Sequence, residues 1–421
     1  MKRTARSCRR FGAASAALCA ALVITAHAQN DRRDNNVIGR LARQLDLGET
    51  TIEYREGVGY LRSLLERLDV RTDSQVLVFS KTSFQQLLIN PRNPRALYYG
   101  DSVSVGTVPG GEVYEIAAVD PDEGLAFYTF PAHQTDRPRF QRRGVECLFC
   151  HGPGNKGAPG LVVASVYPDA TGTPAYTGSF ITTVDHRTAF DARWGGWYVT
   201  GTHGSAHHMG NAVAPDPDRP FDLQQAGTQN VTSLAGKVDV SKYLAPTSDI
   251  VSLMTLEHQV GATNRMNALT HQYRRRELVG PVGDAQWKQF DVDIDDLVGY
   301  LLFVDEARLT EPVKGVSPFT QTFAARGPRD SKGRSVREFD LQTRLFRYPL
   351  SFMIYSEVFD AMPMPVRQRV YQRLFDVLTG KDASPRYAVR SATERKALLE
   401  ILTETKQNLP KYFSEASTPA Y

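Results

Sequence analysis

The chain is 421 residues long, 41% hydrophobic, 23% charged and 10% aromatic, with 50 Lys and Arg against 46 Asp and Glu for a formal net charge of +4. These proportions exclude a disordered chain, a collagen-like fibre and a disulfide-dense scaffold. They also exclude a multi-span membrane protein, because only one apolar run is long enough to consider, and the length allows two or three domains.

That run opens the chain. Lys2, Arg3, Arg6, Arg9 and Arg10 form a basic region, Gly12 to Thr25 is small and apolar, and Ala26-His27-Ala28 supplies a small-x-small pattern before Gln29. This is the layout of a cleaved secretory signal over residues 1–28, with an apolar part too short to remain in a bilayer. Taking its five basic residues, and no acid, from the 50 leaves 45 basic against 46 acidic residues, a net of −1. Bulk charge therefore gives no support to nucleic-acid binding, and the one cluster, Arg274-Arg275-Arg276, reads as a solvated helix end. Ser7-Cys8-Arg9-Arg10-Phe11 matches a twin-arginine signal poorly, and Leu18 before Cys19 is wrong for lipid attachment. The expected location is periplasmic, with no transmembrane anchor once the signal is removed.

After a polar stretch, Ile38, Leu41 and Leu45 repeat at helical spacing before Gly48, and Val58, Leu61, Leu65 and Leu68 do the same. Gln75 to Phe79, Ala96 to Val108, Glu112 to Val119 and Leu125 to Phe130 read as strands. Turn residues Pro109-Gly110-Gly111 and Asp120 to Gly124 punctuate them. Residues 75–131 thus predict a small antiparallel sheet. Residues 144–215 are rich in Gly, His and aromatics without periodicity, the pattern of an irregular segment wrapped round something. From Ser248 the text turns helical. Ile250, Met254, His258, Ala262 and Met266 lie on one face behind a Thr247-Ser248-Asp249 cap, and a second helix is expected over Asp293 to Leu309. Gly327 to Gly333 is a loop. Val366, Val370, Leu374 and Leu378 run to a stop at Gly380, and Ser391 with Glu394 forms a capping box ahead of Leu398, Ile401 and Leu402. The expected class is α+β. Past the signal, residues 29–143 hold N-terminal helices and a small β region, 144–215 the irregular segment, which carries the candidate binding site, and 216–421 a mainly helical region.

The chemistry sits in Cys147-Leu148-Phe149-Cys150-His151, a CxxCH box. Cys8 and Cys19 fall in the signal, so these are the only two cysteines of the mature chain and form no disulfide framework. Two thiols at this spacing can each add to a vinyl group of one haem, and the adjacent histidine then serves as an axial iron ligand. A redox dithiol usually opens a helix in a thioredoxin-like unit, whereas Gly152-Pro153-Gly154 follows the box directly. A zinc site would need two further soft ligands, and there is no second cysteine pair. Cys147 and Cys150 are thus the expected thioether anchors of a single haem c, and His151 its axial, metal-binding residue. Through these five residues the sequence resembles the c-type cytochromes.

The sixth iron ligand is open between His258, His208, Met209 and none, with His203 and His207 crowding the same loop as His208. The run from Asp185 through Trp194-Gly195-Gly196-Trp197-Tyr198 to His208-Met209-Gly210-Asn211 could shield a haem edge, with Arg187 or Arg193 pairing a propionate, or could be an aromatic core. This run is similar to one in large bacterial exported proteins of a cytochrome c-domain family with a single haem box, and the likeness covers most of the mature chain. What it implies is haem and export.

Three functions follow. An electron-transfer cytochrome, cycling iron between two oxidation states with a periplasmic redox partner protein, requires only the box. A peroxidase- or oxidase-like haem oxidoreductase with an open distal iron would account for the size of the chain, although a di-haem peroxidase would need a second box. A gas or redox sensor lacks an accompanying signalling domain. Electron transfer is the expected function and a haem enzyme the alternative.

Overall fold

The computed structural model describes residues 34–152, 155–175, 181–216, 222, 224–382, 384–388 and 390–417. The signal sequence, with Cys8 and Cys19, lies outside them. In the N-terminal half, helices α1 (Val37–Asp46) and α2 (Leu61–Arg67) precede strands β1 (Val76–Val78), β2 (Arg95–Tyr99), β3 (Val103–Thr107), β4 (Val113–Asp120), β5 (Gly124–Pro131) and β6 (Gln141–Arg143). Helix α3 (Val145–His151) carries the CxxCH box. Short strands β7 (Ala164–Ser165), β8 (Thr182–Thr183), β9 (Trp197–Tyr198) and β10 (Gly201–Thr202) follow. The C-terminal half is α4 (Ile250–Glu277), α5 (Asp284–Leu301), β11 (Lys314–Gly315), α6 (Phe319–Ala325), α7 (Glu357–Asp360), α8 (Met364–Leu378), α9 (Ala392–Thr405) and α10 (Tyr412–Ser417). The architecture is α+β, as expected.

The main sheet has seven antiparallel strands in the order β6-β5-β4-β3-β2-β1-β9. The expected strand over Ala96 to Val108 is a hairpin, because the chain reverses at Gly100–Ser102 with Gly100 N–H bonded to Val103 O. Period-two alternation gives the sheet two covered faces. Ala96, Tyr98, Ile116, Ala118, Ala126, Tyr128 and Phe130 pack under α1, α2 and the Leu234–Tyr243 stretch. Val76, Val78, Tyr99, Val119, Leu125 and Phe127 face a larger core built with α4 and the C-terminal helices. Asn36 pins α1 to the sheet. Its side-chain oxygen caps the Ile38 and Gly39 N–H groups while its amide donates to Asp120 at 2.7 Å and Tyr128 at 2.8 Å.

Helix α4 is the axis of the molecule. The sequence predicts an apolar stripe, yet every residue from Ile250 to Thr263 is buried, because the sheet covers one side and α5 to α8 the other. Its start is tied down by Asp249, fully buried, whose carboxylate accepts from Val251 and Ser252 in the helix and from Val316 and Ser317 at 2.8 Å each. Ser248 Oγ accepts from Leu77 N–H of β1 and donates to Tyr198 O of β9. The second helix runs over Asp284–Leu301 rather than Asp293 to Leu309. Phe303 turns the chain at a φ of 53°, and the buried Arg390 guanidinium caps the freed Leu302 and Phe303 carbonyls. The expected capping box of Ser391 and Glu394 is present in α9.

Candidate functional site

Helix α3 leaves edge strand β6 through Gly144 and has only seven residues, none of them buried. A helix this short is marginal in water, and most helices gain their stability from packing an apolar face. Here the apolar side chains point outward: Phe149 is 88% exposed, Val145 82% and Leu148 37%. Cys147 and Cys150, three residues apart, share one side of the helix. Cys147 is half-buried against the larger core and Cys150 is exposed; both are free thiols. Burial, helped by Glu146 and Glu115, pushes the Cys147 thiol up. A nucleophilic redox dithiol wants the opposite shift.

His151 ends the helix. Its Nδ1 lies 2.8 Å from Gly160 O, and Gly160 N–H donates back to His151 O at 2.7 Å. A carbonyl only accepts, so Nδ1 carries the proton and Nε2 keeps its lone pair. The ring lies 4.9 Å from that of Phe127 on β5, tilted by 30°. Burial lowers the imidazole pKa, with Arg95 adding to the effect and Gly160 opposing it. The result is a neutral imidazole with one fixed tautomer, the form in which histidine binds a metal.

The sheet beneath is polar on this side. Arg95 on β2 pairs with Glu115 on β4 at 2.6 Å, and Glu115 also accepts from Ser83 and Gln85. Arg143 donates to Thr129 at 2.9 Å. The Arg95 Nε is buried without a hydrogen-bond partner, a cationic donor left over next to His151. Nothing in the sequence marked Arg95, Glu115 or Phe127, because strand register alone brings them under the box.

The candidates for a sixth ligand are placed as follows. His258 is fully buried and has both ring nitrogens engaged: Nδ1 lies 2.9 Å from His186 Nδ1, and Nε2 lies 2.7 Å from Ser351 Oγ. Its ring stacks on Tyr300 and Phe303. His203 donates from Nδ1 to Ala206 O at 2.7 Å and accepts at Nε2 from Asn230 N–H. His208 accepts at Nδ1 from Gly210 N–H at 3.0 Å, which puts its proton on Nε2, and its ring is wedged against Trp194 and His203. Burial brings His258 and His208 down to about 3. The Met209 thioether takes a hydrogen bond from Ser165 Oγ at 3.6 Å. These histidines are engaged within the core by hydrogen bonds and ring contacts.

The arginines of the aromatic run are engaged in the core as well, although Arg187 keeps one buried nitrogen, Nη2, without a partner. Arg193 is 2% exposed and ion-paired with the fully buried Glu257, and it donates to the Thr188 and His186 carbonyls at 2.8 and 2.9 Å. Arg187 pairs with Asp296 and donates to Val304 O. Trp194 Nε1 donates to the second Glu257 oxygen at 3.0 Å, and Trp197 Nε1 to Ala164 O at 2.7 Å. Of the two readings of this run, the structure shows the aromatic core.

The chain matches no known family, no curated protein and no solved structure in the comparisons made. Among the described residues, no three His, Cys, Asp or Glu side chains converge as a metal site, and no helix is long and apolar enough to cross a membrane.

Proposed function

We propose that the chain is an exported mono-haem c-type cytochrome of the bacterial cytochrome c-domain kind, carrying one electron at a time between periplasmic proteins. The observation that carries this reading is helix α3: two free thiols on one side and, on that same side, a neutral histidine whose Nε2 keeps its lone pair. A haem takes four iron ligands from its own ring, so it asks this chain for one nitrogen and two sulfurs, which is the donor set present. When bound, it supplies a one-electron iron couple. Cys147 and Cys150 would hold it by thioether bonds, and His151 would ligate the iron, oriented by Gly160 O. The Arg95 guanidinium would meet an anionic edge such as a propionate.

The test is haem staining on a denaturing gel after expression with the maturation apparatus. The parent chain is expected to stain, with staining lost in a Cys147→Ala, Cys150→Ala double variant. Full staining of the double variant overturns the assignment. A second reading, a haem enzyme with an open distal position, draws on the engagement of His258, His203 and His208 within the core. Spectra decide between the two readings: six-coordinate low-spin iron indifferent to CO and peroxide fits the carrier, and high-spin iron that binds them fits the enzyme.

A further inference from the structure

The loop after the box is held by a residue far away in sequence. Asn264, on the buried helix α4, makes a two-point clamp on Leu161: Leu161 N–H donates to Asn264 Oδ1 at 2.8 Å, and Asn264 Nδ2 donates to Leu161 O at 2.8 Å. Asn155 Nδ2 donates to the Asn264 backbone carbonyl at 2.9 Å, and Asn267 Nδ2 to Pro159 O at 2.5 Å. The loop is thus fixed on both sides of Gly160, the residue whose carbonyl holds His151 Nδ1. Space there is tight. A Cβ on Gly160 would lie 3.1 Å from Asn155 Cβ and 3.2 Å from Asn264 Oδ1.

We infer that Asn264 is a positioning residue for His151: by clamping Leu161 it fixes the Gly160 carbonyl, and through it the orientation and electron donation of the proximal imidazole. The inference rests on the haem reading above. The logic is that of a ligand held from behind. An Nδ1–H hydrogen bond gives imidazole partial anionic character, a better donor ligand favours the more highly charged ferric iron, and loss of such a partner commonly costs ten- to a hundredfold in metal affinity. The bond is only as good as the placement of the carbonyl. That placement comes from α4, the most deeply packed element of the fold, rather than from the exposed box helix.

Purified Asn264→Ala and Gly160→Ala proteins are to be compared with the parent by haem staining, redox titration and resonance Raman spectroscopy. Both variants are expected to stain fully, since neither touches the thiols. In Asn264→Ala the midpoint potential rises. A tenfold loss of preference for the ferric state corresponds to about 59 mV for one electron. The iron–histidine band, read after photolysis of the CO complex or in any five-coordinate ferrous form, moves to lower frequency. Gly160→Ala, which crowds the loop against Asn264 while keeping the carbonyl, moves the potential the same way by less. A potential within error of the parent in a fully stained, folded variant overturns the inference. If Asn264→Ala does not fold, the Gly160→Ala potential decides alone. Absence of haem from the parent itself would instead be a failure of the haem reading.

Discussion

The box helix and the Arg193–Asn211 stretch invite opposite expectations from their text. The stretch is dense in Trp, Tyr, His and Arg and looks like a site, whereas the box is five residues in a plain setting. In the structure the dense stretch is saturated: Trp194, Trp197, Arg193, His203 and His208 are all buried, and Asn211 bonds both Val199 and Thr228. The box helix buries nothing and leaves thiols, a ring nitrogen and large apolar faces unused. Chemical richness inside a core is mostly consumed by the core, because each buried polar group must find a partner. Unspent chemistry at a surface is the better sign of function.

The largest effect that would sharpen this contrast is expected at Glu257. Glu257→Ala strips the buried Arg193 of its counter-charge and Trp194 of its acceptor, and should cost roughly 4 kcal/mol in urea unfolding. A loss below about 1 kcal/mol would show that the buried bonds of Glu257 contribute little to the fold.

Acid should come next. Burial holds His186 and His258 neutral, and His208 likewise, so each binds a proton in the unfolded chain at pH below its ordinary 6.5 but not in the folded one. Stability is then lost as pH falls below 6.5. Glu257 and Glu306, pushed up to about 7 by burial, act the other way. Between their ordinary 4.5 and about 7 they hold protons in the fold that the unfolded chain releases, so their contribution grows as pH falls toward 4.5. The two trends oppose each other from 6.5 to 4.5, and below 4.5 the histidine trend is joined by carboxylates such as Asp296, Asp340, Glu394 and Glu400, which hydrogen bonds and ion pairs hold below their ordinary values. A series of urea titrations should therefore show a shallow decline in unfolding free energy down to pH 4.5 and a steeper one below it. A decline of constant slope from 6.5 to 3 would contradict the burial assignments.

The smallest effect belongs to the box. Phe149→Ser should change the unfolding free energy of the haem-free chain by less than about 0.5 kcal/mol, because the side chain is already 88% exposed. A loss above 2 kcal/mol would mean that α3 is part of the core after all.

Much of this was legible in the sequence. The sheet over residues 75–131, the α1 and α8 stripes, the Asp249 cap and the Ser391–Glu394 box follow from periodicity and capping, which are local rules. Edge strands β6 and β9 were not legible: two or three residues carry no period, and both depend on partners supplied by the rest of the fold. The end of α5 was missed for the same reason, since Arg390 terminates it from 88 residues away. At the candidate site, Cys147, Cys150 and His151 stand out through the CxxCH spacing itself, which is local to five residues. Arg95, Glu115, Phe127, Gly160 and Asn264 have no such rule. Strand register and the packing of α4 bring them together, and only a folded chain shows it. His258 stayed open in the sequence, since an apolar-face histidine looks the same whether it awaits a metal or bonds to His186 and Ser351.

The strand order also sets a clock. The box follows β6 at one rim of the sheet, while β9, which comes later in the chain, closes the opposite rim against β1, six strand spacings or roughly 29 Å away. A chain emerging from its N terminus presents six strands and both thiols before the seventh strand exists. Arrival of β9 is also what lets Ser248 bridge Leu77 and Tyr198 and seats the start of α4, so closure of the second core waits on it. On the haem reading proposed above, a group fastened to an open chain would have to be attached before Trp197–Tyr198 docks and closes the far rim.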